Sequence, residues 1–114
     1  MRNELSTKKC VPCEGGTPPI DKQEAENLSS QVPNWELSDK KITRTFKFKK
    51  FAETVDFFNE VAAIAEEEGH HPDFEIKGVR NLTLTLWTHA VGGLTANDFI
   101  VAAKIDQIQR GAHE

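Results

Sequence analysis

The chain is short of cysteine, of positive charge and of any long apolar run, and each shortage removes a class of protein. Two cysteines in 114 residues, Cys10 and Cys13, cannot form the cross-linked framework of a small secreted domain. Their Cys-Val-Pro-Cys spacing suits half a zinc site or a redox pair. A zinc site takes four ligands, and no second pair follows. A redox motif belongs at a strand-to-helix turn, whereas this pair sits in a polar stretch; it reads as inert. Lys and Arg total 14 against 18 Asp and Glu, a net charge of −4. That is the wrong sign for a protein that neutralises nucleic-acid phosphates. No apolar run approaches the ~18 residues of a membrane span, and residues 1–6 lack the apolar stretch of a secretory signal. The expectation is a soluble cytoplasmic protein with reduced thiols, the nucleus also being open to it, that touches neither nucleic acid nor membrane directly.

What is present is enough for one domain. Apolar residues make up 38% of the sequence, and a chain of this size buries roughly two thirds of its unfolded surface. They thin out before Trp35, and Glu14-Gly15-Gly16-Thr17-Pro18-Pro19 carries turn residues with almost nothing to bury. The reading is a mobile tail over 1–19, one domain over 20–111 and a short C-terminal tail over 112–114. Asp21 is a candidate N-cap for a short helix that holds Ala25 and Leu28 and stops before Pro33. Residues 35–37 and 42–48 flank the polar turn Ser38-Asp39-Lys40-Lys41 and read as a hairpin. Ile42, Phe46 and Phe48 share one side of it, which Arg44 interrupts.

The period then changes. Phe51, Val55, Phe58, Ala62 and Ala65, joined by Val61 and Ile64, recur at threes and fours, an amphipathic helix of about 17 residues. Gly69 stands where a left-handed residue closes a helix, and Pro72 follows. Leu82, Leu84 and Leu86 alternate with Thr83, Thr85 and Trp87, a strand whose antiparallel partner is 74–77, reached through Gly78. Thr95 with Asp98 three residues on is a carboxylate capping box, and Phe99, Ala102, Ala103, Ile105 and Ile108 form the buried side of a closing helix that ends at Gly111. The order α-β-β-α-β-β-α implies an α+β fold, a four-stranded antiparallel sheet with helices packed on one face. Such a sheet has two edges to protect, so self-association is expected.

Three histidines stand at element ends. His70 and His71 follow the central helix, and His89 follows the best strand; His113 sits in the last residues without a role. Pro72 biases His71 towards extended backbone, which sends the two adjacent imidazoles apart. His89 continues the series Thr83, Thr85, Trp87, beside an indole that either covers a flat ligand or serves as a sheet or oligomer contact. Helix carbonyls and Glu66, Glu67 and Glu68 make that helix end negative, a setting that suits an imidazole acting as an acid. Alternatively the histidines only cap the helix and the glutamates form a solvated face. His70, His71, His89, Asp73 and Asp98 are metal-ligand types, but adjacent histidines seldom converge on one ion and no His-x-x-x-His spacing exists. Gly92-Gly93 before a helix is too short for a phosphate-binding loop. Lys47-Phe48-Lys49-Lys50 reads as a solvated strand edge.

Taken in order, Glu66-x-x-x-His70-His71-Pro72-Asp73, Trp87-Thr88-His89 and Gly92-Gly93-Leu94-Thr95-x-x-Asp98-Phe99 resemble the pterin-4a-carbinolamine dehydratases over roughly residues 35–108. The resemblance implies a hydro-lyase that converts 4a-hydroxytetrahydropterin to quinonoid dihydropterin and water in tetrahydropterin recycling, beside aromatic amino acid hydroxylases. It implies no metal and no cofactor, since the pterin is the substrate, and a homo-dimer or tetramer. It makes His70, His71 and His89 catalytic, the first and last as the acid/base pair and His71 holding the ring. Gly69, Pro72, Trp87, Thr88 and Ala90 would bind substrate, while Glu66, Asp73 and Asp98 would support. The sequence departs from the family pattern at Gly69, often acidic, at Gly78-Val79, where an aromatic is common, and in its longer N-terminal segment. Some relatives in animals also stabilise a transcription-factor dimer, so a coactivator role is the alternative function.

Overall fold

The computed structural model describes residues 4–8, 10 and 19–112. Three helices and four strands follow in chain order: α1 (Lys22–Ser29), β1 (Glu36–Leu37), β2 (Ile42–Lys47), α2 (Phe51–Glu68), β3 (Asp73–Lys77), β4 (Asn81–Leu86) and α3 (Ala96–Ala112). The strands form one antiparallel sheet in the order β1-β2-β4-β3. The sheet has two unlike faces because its side chains alternate. Leu82, Leu84 and Leu86 are fully buried under the helices with Ile42 and Phe46, and each such side chain contributes about 1.5–3 kcal/mol by leaving water. Thr45 and Thr83 on the other face meet hydroxyl to hydroxyl at 2.9 Å in solvent. The α+β layer arrangement read from the sequence is the one observed.

Aromatic rings fill the centre. Trp35 meets Phe46 edge-on with centroids 6.1 Å apart, and Phe57 of α2 packs on Phe46 at 4.8 Å and on Phe48 at 5.3 Å. Arg44 does not break the apolar face. Its guanidinium lies over the Phe46 ring and its Nη1 donates to Asp106 Oδ1 at 2.7 Å, the oxygen that also accepts from Trp35 Nε1 at 2.8 Å. One carboxylate on α3 thus satisfies two donors that the core would otherwise strand.

The structure corrects three expectations. Of the expected stripe of α2, Val61 and Ala65 are buried and Phe58 and Ile64 pack half-buried on the core, but Thr54 and Phe57 take the buried places expected of Phe51 and Val55; Phe51 is 53% exposed. The helix is apolar on two adjoining faces, and periodicity alone cannot say which one the sheet takes. Next, α3 runs through Gly111 to Ala112, since a single glycine costs a helix only about 1 kcal/mol. Last, the tail expected over 1–19 is partly docked: residues Glu4–Thr7 form a 3₁₀ turn and Leu5 is buried in the core. Cys13, His113 and the Gly-Gly-Thr-Pro stretch lie outside the described residues.

Candidate active site

The site lies where three element ends meet. α2 stops at Gly69, whose φ of 65° is left-handed, and the His70 N–H closes the turn on the Ala65 carbonyl at 3.1 Å. A side chain at this position would be strained, so glycine both ends the helix and turns His70 inward. From the other side β4 ends at Leu86. The chain then folds through a tight turn in which the Thr88 N–H donates to the Gly93 carbonyl at 2.7 Å and the Gly92 N–H to the Thr88 carbonyl at 3.0 Å. That turn delivers the chain to the start of α3.

There the capping box forms as read. The Asn97 N–H donates to Thr95 Oγ1 at 3.3 Å, and the Thr95 N–H donates to Asp98 Oδ2 at 3.0 Å. Asp98 does more than cap. It is completely buried, Thr88 Oγ1 also donates to its Oδ2 at 2.8 Å, and its Oδ1 meets His70 Nε2 at 2.5 Å. An ionised carboxylate only accepts, so Nε2 carries the proton of that bond and Nδ1 is the His70 nitrogen left for a ligand. His71 turns the other way, as the proline bias implies. Its Nε2 meets Glu66 Oε2 at 2.6 Å, with both side chains largely in solvent.

Trp87 and His89 stack with ring centroids 3.9 Å apart and planes 28° from parallel, and Trp87 Nε1 donates to Asp73 Oδ2 at 3.0 Å. Period-two alternation therefore persists past the end of β4. These groups surround a cavity of about 590 Å³, lined by Gly69, His70, His71, Pro72 and Asp73 from one side and by Trp87, Thr88, His89 and Ala90 from the other. Every site residue named from the sequence lines the cavity except Glu66 and Asp98, which stand behind His71 and His70. Three more liners were not legible: Cys10, Glu68 and Asn97. A groove of similar size, about 600 Å³, runs past Pro19, Lys22, Asp39 and Gly93. It is lined by Lys22, Glu26, Asp39 and Lys40 but by no histidine. Among the described residues no three His, Cys, Asp or Glu side chains group as metal ligands would.

An imidazole fixed by a buried carboxylate, a second imidazole stacked on an indole and a third held by a glutamate line one cavity, an arrangement of groups able to give and take protons. The comparisons agree with the chemistry. The family model described as pterin 4 alpha carbinolamine dehydratase matches residues 18–108, and the chain belongs to that family. A Nitrosomonas eutropha protein carrying the same family name is 48% identical over 106 residues, 92% of this chain and 93% of that one. The Arabidopsis thaliana protein named pterin-4-alpha-carbinolamine dehydratase 2, mitochondrial, is 47% identical over 111 residues, 93% of this chain and 59% of its own. Among solved structures, a transcriptional coactivator/pterin dehydratase from Brucella melitensis superposes with a TM-score of 0.74 at 30% identity, covering 79% of this chain and 97% of that one.

Proposed function

We propose that this protein is a hydro-lyase that takes 4a-hydroxytetrahydropterin to quinonoid dihydropterin and water. The observation that carries the reading is His70, locked on buried Asp98 at the wall of a cavity that Trp87 and His89 also line. The substrate holds a hydroxyl on ring carbon 4a, next to a ring nitrogen whose lone pair expels it. Hydroxide leaves poorly, so one imidazole delivers a proton to the departing oxygen. A second accepts the proton lost from the ring as the new double bond forms. Each role contributes about 10²–10⁴-fold. His70 and His89 are the acid/base pair, His71 holds the ring with its orientation set by Glu66, and Trp87 supplies an aromatic surface. The reaction takes no metal and no organic cofactor.

The test is a stopped-flow experiment with freshly generated carbinolamine, following loss of its ultraviolet absorbance with and without protein. Acceleration by the wild type that survives exhaustive chelation and is mostly lost in His70→Ala supports the reading. No acceleration sinks it.

The assembled form we propose is a homo-oligomer in the cytoplasm. Phe58 of α2 and Phe74 of edge strand β3 pack with centroids 4.4 Å apart and planes tilted by 44°, and Phe51 and Phe74 are more than half exposed, an aromatic face that a second copy would cover. Light scattering of Phe58→Asp against wild type tests it. The Brucella neighbour's name joins dehydratase to coactivator. A coactivator role for this chain would use that aromatic face, and would survive loss of all three histidines. No helix among the described residues is long and apolar enough to cross a membrane.

A further inference from the structure

The segment before α1 reaches the active site at a point the proposed chemistry does not use. Leu5 is buried in the core, and Lys104 Nζ of α3 donates to the Ser6 carbonyl at 3.1 Å. Farther along, the Cys10 N–H donates to Glu68 Oε1 at 2.8 Å and the Cys10 thiol to the Asn97 carbonyl at 3.6 Å. Cys10 thereby lines the same cavity as His70, Trp87 and His89.

Glu68 is the unusual member of this set. It is the last residue of α2, where helix carbonyls repel a carboxylate, and yet its side chain is only 3% exposed. Burying a charge there costs free energy unless it is paired and hydrogen-bonded. Lys104 Nζ, 3.6 Å from Oε2, supplies the opposite charge, and the Cys10 N–H supplies the hydrogen bond. The neighbouring Glu66 points outward to His71, so inward burial is particular to Glu68. What the buried carboxylate secures is Cys10 at the cavity rim.

We propose that Glu68 is a positioning residue that holds the chain at Cys10 as a wall of the pterin cavity, and that this wall sets the affinity for the pterin ring. The inference rests on the dehydratase reading of the cavity. A neutral thiol behaves as a small apolar group, suited to lie against a heterocycle. The wall meets no reacting atom and so binds ground and transition states alike; its loss appears in KM and leaves kcat in place.

Steady-state stopped-flow kinetics on wild type, Glu68→Ala, Glu68→Gln and Cys10→Phe test this, with circular-dichroism melting on each. Glu68→Ala removes the acceptor and is expected to raise KM about tenfold, equivalent to about 1.4 kcal/mol, with kcat kept within about twofold. Glu68→Gln keeps an amide oxygen for the Cys10 N–H and restores KM to near the wild-type value. Cys10→Phe leaves Glu68, Lys104 and the backbone hydrogen bond in place but puts a ring into the cavity, and KM rises again. An unchanged KM in folded Glu68→Ala or in Cys10→Phe, or a fall in kcat at constant KM, overturns the proposal. If Glu68→Ala does not fold, Cys10→Phe decides alone. A wild type without any turnover overturns the dehydratase reading, and this proposal with it; turnover with equal KM values overturns this proposal only.

Discussion

Asp98→Asn isolates what the buried carboxylate does for His70. Two donors, the Thr95 N–H and the Thr88 hydroxyl, hold Oδ2 at 3.0 and 2.8 Å. The asparagine carbonyl oxygen must take that position, which places the amide nitrogen where Oδ1 met His70 Nε2. An amide N–H cannot face a protonated Nε2, so the ring proton moves to Nδ1 and the nitrogen left for the ligand turns from acceptor into donor. A charged imidazole loses its anionic partner altogether, a hydrogen bond of about 1.5–3 kcal/mol. The helix cap survives, because the oxygen that accepts from Thr95 is still there. We expect kcat to fall about 10²–10³-fold, measured above the unaided reaction, while the melting temperature drops by only about 4–8 °C for each kcal/mol lost. Adding Asp98→Asn to His70→Ala should cost almost nothing further, since the two act as one unit. The assay is single-turnover stopped flow beside thermal melting. Turnover within about threefold of wild type in folded Asp98→Asn would refute the argument, for no general acid/base group tolerates an inverted tautomer so cheaply.

Three other perturbations probe the scaffold. Asp106→Ala removes the acceptor that Arg44 and Trp35 share; urea unfolding should show a loss of about 2–4 kcal/mol, and a loss under about 1 kcal/mol would contradict the shared-acceptor account. Val79, 52% exposed, is a β-branched residue at a φ of 56°, so Val79→Asn should stabilise by about 0.5–1 kcal/mol because asparagine tolerates that region; a lower urea midpoint would count against strain there. Burial first, then the Glu68 carboxylate, pushes the Cys10 thiol from 9.0 up to about 12. In a Cys13→Ser background, iodoacetamide at pH 8 should therefore modify Cys10 at least about 100-fold more slowly than in the urea-unfolded chain. The folded form holds this proton more tightly, so the thiol's contribution to stability is complete below the unfolded pKa and is lost as pH climbs from about 9 to about 12. Equal alkylation rates would show that partial burial and Glu68 do not hold the proton on this thiol.

The features legible in the sequence are those set by neighbours in the chain. The alternation of β4, the glycine stop of α2 and the Thr95–Asp98 box are each decided within about one helical turn or strand. Even the divergence of His70 and His71 follows from Pro72. What stayed hidden depends on partners far away. Arg44 looked like a fault in an apolar face until Asp106, 62 residues later, appeared beside it. Glu66, Glu67 and Glu68 read as one charged run, yet Glu68 turns in to meet Lys104 and Cys10. Leu5 was a lone apolar residue in a polar stretch, with nothing nearby to say that α3 would receive it. The family pattern implied a supporting role for Asp98, but not that its partner would be His70, 28 residues away.

That match also explains why the site sits at helix ends. Asp98 lies in the first turn of α3, where the unpaired N–H groups favour negative charge, and His70 lies just past α2, where unpaired carbonyls favour positive charge. Each partner stands at the terminus that stabilises its charged form. The pair therefore has support from both helix ends, and three donors, the Thr95 N–H, the Thr88 hydroxyl and His70 Nε2, meet a carboxylate that has no solvent contact. Because the same carboxylate caps α3 through the Thr95 N–H, a chain that starts α3 correctly has already placed the group that orients His70. At this corner of the molecule, folding and placement of the His70–Asp98 pair are the same event. The Trp87–His89 pair is fixed differently, by ring stacking, by Lys41 Nζ over the indole at 5.6 Å and by the bond from Trp87 Nε1 to Asp73 at the solvent-facing side of the sheet.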